Sequence, residues 1–297
     1  MNAVAQVPAL LARSLESERI HSAYLLSGPG DAPRQVAEHF VRGIVCRASA
    51  ERPCETCDGC RRSAPREEIE LDGTGKRGPL YRHVGDHPDL FWVERGPDDT
   101  RVRIGQVRAL QSALRLRTSE GGRRAAVIAG AEWLNQEAQN ALLRLLEEPP
   151  ADTTLVLVAS SSAGLLVTVR SRCQRVLFRG ETDDALSDPE SAETVARLES
   201  IGAASVPDLL DWAEQYRGQR ATAAAGVESL LATASAYLHR RIVERARSAD
   251  PDVEAELAAH RELASCRKVL VQRNANPQMV AERALLAIQS GVRSPGP

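Results

Sequence analysis

Between Asn140 and Cys173 the sequence carries an order of elements that few folds accommodate. Ala138, Ala141, Leu142, Leu145 and Leu146 fall at helical spacing, and Pro149-Pro150 ends that helix. Leu155 to Ala159 follows as an apolar run with no polar alternation, then Leu165 to Arg170 as a short helix-like turn leading to Ser171-Arg172-Cys173. A strand that is apolar on both faces needs cover on both faces. In a chain where strands alternate with helices, that means a mostly parallel sheet between helical layers.

The flanking sequence extends this pattern. Ala23 to Leu26 is a short apolar strand leading into Ser27-Gly28-Pro29-Gly30, with a helix expected over Gln35 to Val45. Asp89 to Glu94, Ala125 to Ala129 and Val176 to Phe178 read as further strands. Val102 to Leu116 carries apolar residues at Ile104, Val107, Leu110, Leu114 and Leu116, a helical pattern. Beyond Phe178 no strand is expected. Glu181 to Gln215 reads as short helices broken by Pro189, Gly202 and Pro207. From about Arg220 long helices follow, with Asp250-Pro251 as a turn and an Asn-Pro turn at Asn276-Pro277. The first twenty residues lack a basic start followed by an apolar core, so an amphipathic helix is expected there and a cytoplasmic location follows. No apolar run is long enough to span a bilayer.

A strand, a glycine-rich turn and a helix make the setting for a phosphate-binding loop of the form GxxxxGK[ST]. Gly28-Pro29-Gly30-Asp31-Ala32-Pro33-Arg34-Gln35 occupies that setting, keeps the first glycine and departs from the pattern after it. Pro33 stands at the second glycine and has no N–H to offer a phosphate. Asp31 brings a carboxylate toward the anion. Arg34 replaces the compact lysine ammonium with a broad planar fork, and Gln35 replaces the hydroxyl that would hold Mg²⁺. Lysine occurs only at Lys76 and Lys268, so arginine supplies the other 36 of 38 basic side chains. Coding bias accounts for Arg34 by itself, but not for Asp31, Pro33 and Gln35 as well. A second glycine-lysine segment, Gly73-Thr74-Gly75-Lys76-Arg77, has Glu70 at the first glycine and Gly78-Pro79 where a helix should start, and reads as a loop.

Cys46, Cys54, Cys57 and Cys60 form C-x7-C-x2-C-x2-C, a spacing that lets four thiolates converge on one tetrahedral ion. Structural zinc is the expected ion. A disulfide pair and an iron–sulfur cluster are the alternatives, the first disfavoured in a reducing cytosol. His83 and His87 are expected in a downstream loop and not as ligands, and Cys266 in the core of a C-terminal helix.

The run LLRLLEEPP, followed by a strand and then Ser171-Arg172-Cys173, resembles the bacterial clamp-loader branch of the AAA+ proteins. The resemblance implies an α/β fold: a P-loop-type parallel-sheet core over residues 1–179 with a zinc insert at 46–60. A short helical lid over 180–216 and a helical collar over 217–297 would follow. It also implies that Arg172 is an arginine finger supplied in trans to a neighbouring subunit's ATP, with Ser171 and Cys173 placing it. In ATP-hydrolysing relatives the strand before the LLxxLEEPP helix ends in Asp-Glu. Here those positions are Ala129 and Gly130, and Glu132 is the nearest acid. The turn from Gly202 to Pro207 lacks the lid arginine of ATP-binding members.

The implied role is a non-hydrolysing stator within a replicative polymerase assembly. ATP is not expected to be hydrolysed, nor held, by this chain. The implied partners are gamma/tau-type motor subunits and a delta subunit in a five-membered ring, with the sliding clamp and primed DNA engaged through the complex and no membrane. Two other readings stay open: a divergent but active motor ATPase, and a zinc-ribbon protein that contacts nucleic acid directly. A net charge of −2 and 3% aromatic residues speak against the last.

Overall fold

The structure is a computed structural model, and it describes residues 7–48, 51–120, 122–178, 186, 191–247, 252–273 and 275–293. The chain forms two compact units, residues 1–179 and residues 180–297. Pro189 and the Asp250-Pro251 turn lie outside the described residues, as does the start of the expected N-terminal helix.

The first unit runs α1 (Ala9–Glu16), β1 (Ala23–Ser27), α2 (Ala32–Val45), α3 (Asp58–Arg62), β2 (Arg82–His83), β3 (Leu90–Val93) and α4 (Ile104–Arg115). It continues with β4 (Arg124–Ala129), α5 (Gln136–Glu147), β5 (Thr153–Ala159), α6 (Val167–Arg170) and β6 (Gln174–Leu177). The strands form one sheet in the order β2-β3-β4-β5-β1-β6. All neighbours are parallel except β2, which pairs antiparallel with β3. Register places Val127 beside Val156 and Leu25 beside Leu157. Every residue of β1, β3, β4 and β5 is buried, as expected of parallel strands covered on both faces. On one face Leu11, Leu15, Val36, Phe40 and Ile44 of α1 and α2 pack on Tyr24, Leu26, Trp92, Val127, Val156 and Val176. β6 is an edge strand in which only Val176 is buried.

Two local expectations need correction. Helix α2 starts at Ala32, three residues before the expected Gln35, because proline is tolerated in a first helical turn, where its missing N–H costs no intrahelical bond. His83 is not in a loop: it ends β2, where its ring meets Tyr81 and Phe91 edge-on or tilted.

The second unit is helical throughout its described residues. It comprises α7 (Ala192–Ser200), a 3-10 turn (Ile201–Ala203), α8 (Val206–Glu214), α9 (Arg220–Ala246), α10 (Glu254–Arg273) and α11 (Pro277–Val292). Ser205 and Asp208 form a reciprocal capping box at the start of α8. Asn276 caps α11 ahead of Pro277, so the Asn-Pro pair opens the last helix. Buried Val227, Leu231, Tyr237, Leu263, Cys266, Leu285 and Ile288 form the centre. Gly291 lets α11 approach α10 closely: a Cβ there would lie 2.6 Å from that of Ala259. Gln289 donates to the carbonyls of Ile201 and Ala204, tying α11 to the turn before α8.

Candidate functional site

The loop between β1 and α2 is closed by its own chain. The amides of Arg34 and Gln35, which a phosphate loop would turn toward its ligand, donate to the Asp31 carbonyl at 3.0 Å each. The Gln35 side chain donates to the Asp31 carboxylate at 3.0 Å. Gly28 lies under Phe178: a Cβ on it would come within 2.4 Å of the Phe178 carbonyl oxygen, and the Phe178 amide bonds Ser27 at 2.8 Å. Gly30 adopts φ +70°, a conformation that favours glycine, and faces open space.

Arg34 is engaged inside the molecule. It donates to Glu94 at 2.5 Å and to Glu68 at 3.1 Å, and its guanidinium lies 4.8 Å from the centroid of the Trp92 ring. Arg82 approaches the same ring at 5.0 Å, pairs with Glu68 at 2.6 Å and lies 3.5 Å from Glu94. Burial works against the charge of both Arg34 and Glu94. Their mutual hydrogen bond and attraction prevail, holding the Glu94 carboxyl below its ordinary value and the Arg34 guanidinium above its own. The second glycine-lysine segment is likewise filled from within. The Asp72 carboxylate accepts from the amides of Thr74 (2.9 Å), Lys76 (2.9 Å) and Arg77 (2.7 Å) and from the Thr74 hydroxyl (2.7 Å). These bonds hold Asp72 well below the usual carboxylate range.

β4 ends at Ala129, and Gly130 turns the chain at φ +66° into a 3-10 turn over Ala131–Trp133. That turn buries Glu132, whose Oε1 accepts from the Ser160 amide at 3.0 Å and the Ser160 hydroxyl at 2.6 Å. Sequence reading noted Glu132 only as the nearest acid; its place is a cap on the end of β5.

The segment after β5 presents Arg172. Its Nη1 donates to the Thr168 carbonyl at 2.9 Å, and its Nη2 pairs with Glu147 Oε1 at 2.7 Å. The side chain remains 36% exposed. The Ser171 hydroxyl donates to the same Thr168 carbonyl at 3.1 Å. Cys173 is buried, and burial pushes its thiol up to about 12, so it packs as a small hydrophobe and is not a nucleophile. Beneath this segment lies Gln139 of α5, only 2% exposed. Its amide nitrogen donates to the carbonyls of Leu134 (2.9 Å) and Gly164 (3.2 Å), and its oxygen accepts from the Leu166 amide at 2.7 Å. Gln139 thereby staples α5 to the turn that starts α6.

The four cysteines expected to converge do so. The sulfurs of Cys46, Cys54, Cys57 and Cys60 all lie within 4.8 Å of one another. Cys54 to Cys60 is 3.9 Å and Cys46 to Cys57 is 4.0 Å. Four thiolates around zinc at about 2.3 Å stand roughly 3.8 Å apart along a tetrahedral edge, so the spacing fits that ion and not an S–S bond of about 2.05 Å. N–H donors suited to thiolates are in place: Ala48 donates to Cys46 and Cys57 to Cys54, each at 3.4 Å. The cluster could hold a zinc ion closed to solvent water on all four sides. It sits on α2, since a Cβ at Gly59 would lie 2.5 Å from the Val45 carbonyl oxygen, and Arg42 of α2 pairs with Glu55.

A family model described as DNA polymerase III, delta subunit, matches residues 4–78 and 80–182. The chain belongs to this DNA polymerase III subunit family. It is 33% identical over 220 residues to DNA polymerase III subunit delta' of Pseudomonas aeruginosa, covering 70% of this chain and 61% of that one. It is 32% identical over 184 residues to the Bacillus subtilis subunit delta', covering 62% and 50%. DNA polymerase III subunit tau of Escherichia coli is 30% identical over 165 residues, covering 55% of this chain and 22% of its own length. The chain thus spans about two-fifths to three-fifths of the length of the delta' proteins it matches.

For this member of the DNA polymerase III subunit family, the matched residues contain the β1–α2 loop, the cysteine cluster, Gln139 and Arg172. Sequence reading singled out Arg34 and Arg172 but not their partners Glu94, Glu68 and Glu147. Gln139 also escaped it. The available signal was a glutamine on the buried face of α5, one helical turn before Leu142.

Proposed function

We propose that the chain is a non-hydrolysing subunit of the DNA polymerase III clamp loader. It acts as a stator in a five-membered ring, beside gamma/tau-type motor subunits and a delta subunit. Its Arg172 is presented to ATP held by an adjacent motor subunit, and that ATP drives loading of the sliding clamp on primed DNA. The observation that carries this reading is the self-filled loop at Gly28–Gln35: the Arg34 and Gln35 amides donate to the Asp31 carbonyl, and the Arg34 guanidinium is taken up by Glu94 and Glu68. Arg172 lies apart from it, on the segment after β5, with 36% of its side chain exposed. A guanidinium is always charged and grips phosphate oxygens through paired N–H groups, which suits it to charge building on a γ-phosphate. The similarity to proteins named subunit delta' and subunit tau supports membership of the same assembly. Among the described residues no helix is long and apolar enough to cross a membrane.

The test is reconstitution with a motor subunit, a delta subunit, the clamp and primed DNA. Arg172→Ala is expected to abolish the ATP turnover contributed by the adjacent site and to slow clamp loading; fingers of this kind give roughly 10³–10⁵ in rate. Turnover and loading equal to native would defeat the finger assignment. ATP hydrolysis by the isolated chain above that of an Arg34→Ala variant would defeat the stator reading as a whole.

A further inference from the structure

We propose that Glu147 is a positioning residue for Arg172: it braces the guanidinium so that the arginine meets a neighbouring ligand already aimed. This rests on the reading of Arg172 as a finger given above. A guanidinium has five N–H donors in a fixed planar fork. The Thr168 carbonyl and the Glu147 carboxylate accept from different terminal nitrogens, so both ends of the fork are fixed while further donors remain for a phosphate. One bond to the arginine's own helical turn would leave its long side chain free to swing. The second, from a different helix, removes that freedom.

Glu147 is well placed to act as a fixed point. It is the last residue of α5, directly before Glu148, where the backbone leaves helical geometry, and Pro149-Pro150. The helix end adds partial negative charge near the guanidinium. α5 is itself anchored at its start by Asn135, which caps it through the Ala138 amide at 2.9 Å, and in its middle by Gln139. Both partners of Arg172 therefore belong to one stapled block, α5 with α6. The carboxylate is half exposed, so its removal leaves no buried charge.

Two measurements test the brace on the full chain. In the isolated protein, ¹⁵N relaxation of the Arg172 side-chain Nε–H, assigned by its loss in Arg172→Ala, is expected to report a rigid group in native protein and a mobile one in Glu147→Ala. Unchanged rigidity overturns the brace whatever Arg172 does in the assembly. In the reconstituted loader, Glu147→Ala is expected to lower the kcat for ATP turnover about 3- to 10-fold, part of the roughly 13- to 30-fold that an arginine's full rotamer freedom represents, because the bond to Thr168 remains. KM for ATP and assembly of the complex are expected to stay as native. Glu147→Gln, which keeps an acceptor oxygen, is expected to retain at least half of native kcat, and Glu147→Ala added to Arg172→Ala to change nothing further. A Glu147→Ala loader as fast as native, or faster, while Arg172→Ala is slow overturns the positioning role alone. An Arg172→Ala loader as fast as native overturns the finger reading beneath it.

Discussion

Replacing Gln139 by leucine deletes three hydrogen bonds from a side chain with almost no access to water. Each such bond contributes about 1 kcal/mol net, so the expected loss is about 3 kcal/mol. For a unit the size of residues 1–179 this corresponds to a fall in melting temperature of about 6–12 °C. Tryptophan fluorescence is a suitable assay, because Trp92 and Trp133 lie in the first unit and a Trp212→Phe background silences the second. Separate reporting matters, since a chain of two units need not unfold in one step. Gln139→Glu sharpens the test. It keeps the acceptor for the Leu166 amide but turns a carboxylate oxygen toward the Leu134 and Gly164 carbonyls. At pH 7 it should destabilise at least as much as leucine. Its folded-state pKa should be raised, so the folded state binds the proton more tightly and stability should recover as the pH is lowered toward 5. A shift below about 2 °C for Gln139→Leu, or a Gln139→Glu variant that weakens on acidification relative to native, would refute the staple.

Two further outcomes are expected. Purified protein should contain about one zinc per chain by metal analysis, and chelation should lower the melting temperature of the first unit, because ligand binding to such a cluster is linked to folding; less metal, or no shift on its removal, counts against the site. Burial holds His87 below its ordinary value, and burial with nearby Arg42 does the same for His39. The unfolded chain therefore takes up these protons first, so stability present above about pH 6.5 should decline as the pH falls toward the depressed folded values. Urea midpoints between pH 7.5 and 5.5 measure the decline, and a His87→Gln variant with an unchanged slope would exclude that imidazole as a contributor.

Much of the sheet was legible because parallel strands buried on both faces leave uninterrupted apolar runs. Ala23 to Leu26, Ala125 to Ala129 and Leu155 to Ala159 are such runs, and each lies within a fully buried strand. β2 was not legible: it has two residues, and the one it buries is Arg82, held against Trp92 and Glu68, where the pattern would call for an apolar residue. The cysteine cluster could be read because its ligand spacing is local. Partners distant in sequence could not be found that way. Arg34 meets Glu68 and Glu94 from 34 and 60 positions away, and no periodicity announces either acid. Gln139 was hidden for a related reason, since its three partners are backbone groups whose identity leaves no trace in the sequence.

The pairing of Arg34 constrains what this loop can become. Lysine at position 34 would remove the planar group that lies against Trp92 and that reaches two carboxylates at once. A compact ammonium can still pair with one carboxylate but does not span Glu68 and Glu94 as the guanidinium fork does. Restoring glycine at position 33 would free an amide, yet the Arg34 and Gln35 amides would still point at Asp31. Neither single substitution therefore makes a phosphate loop of this segment. Its residues depend on one another, so several would have to change together before the loop amides could turn to an anion.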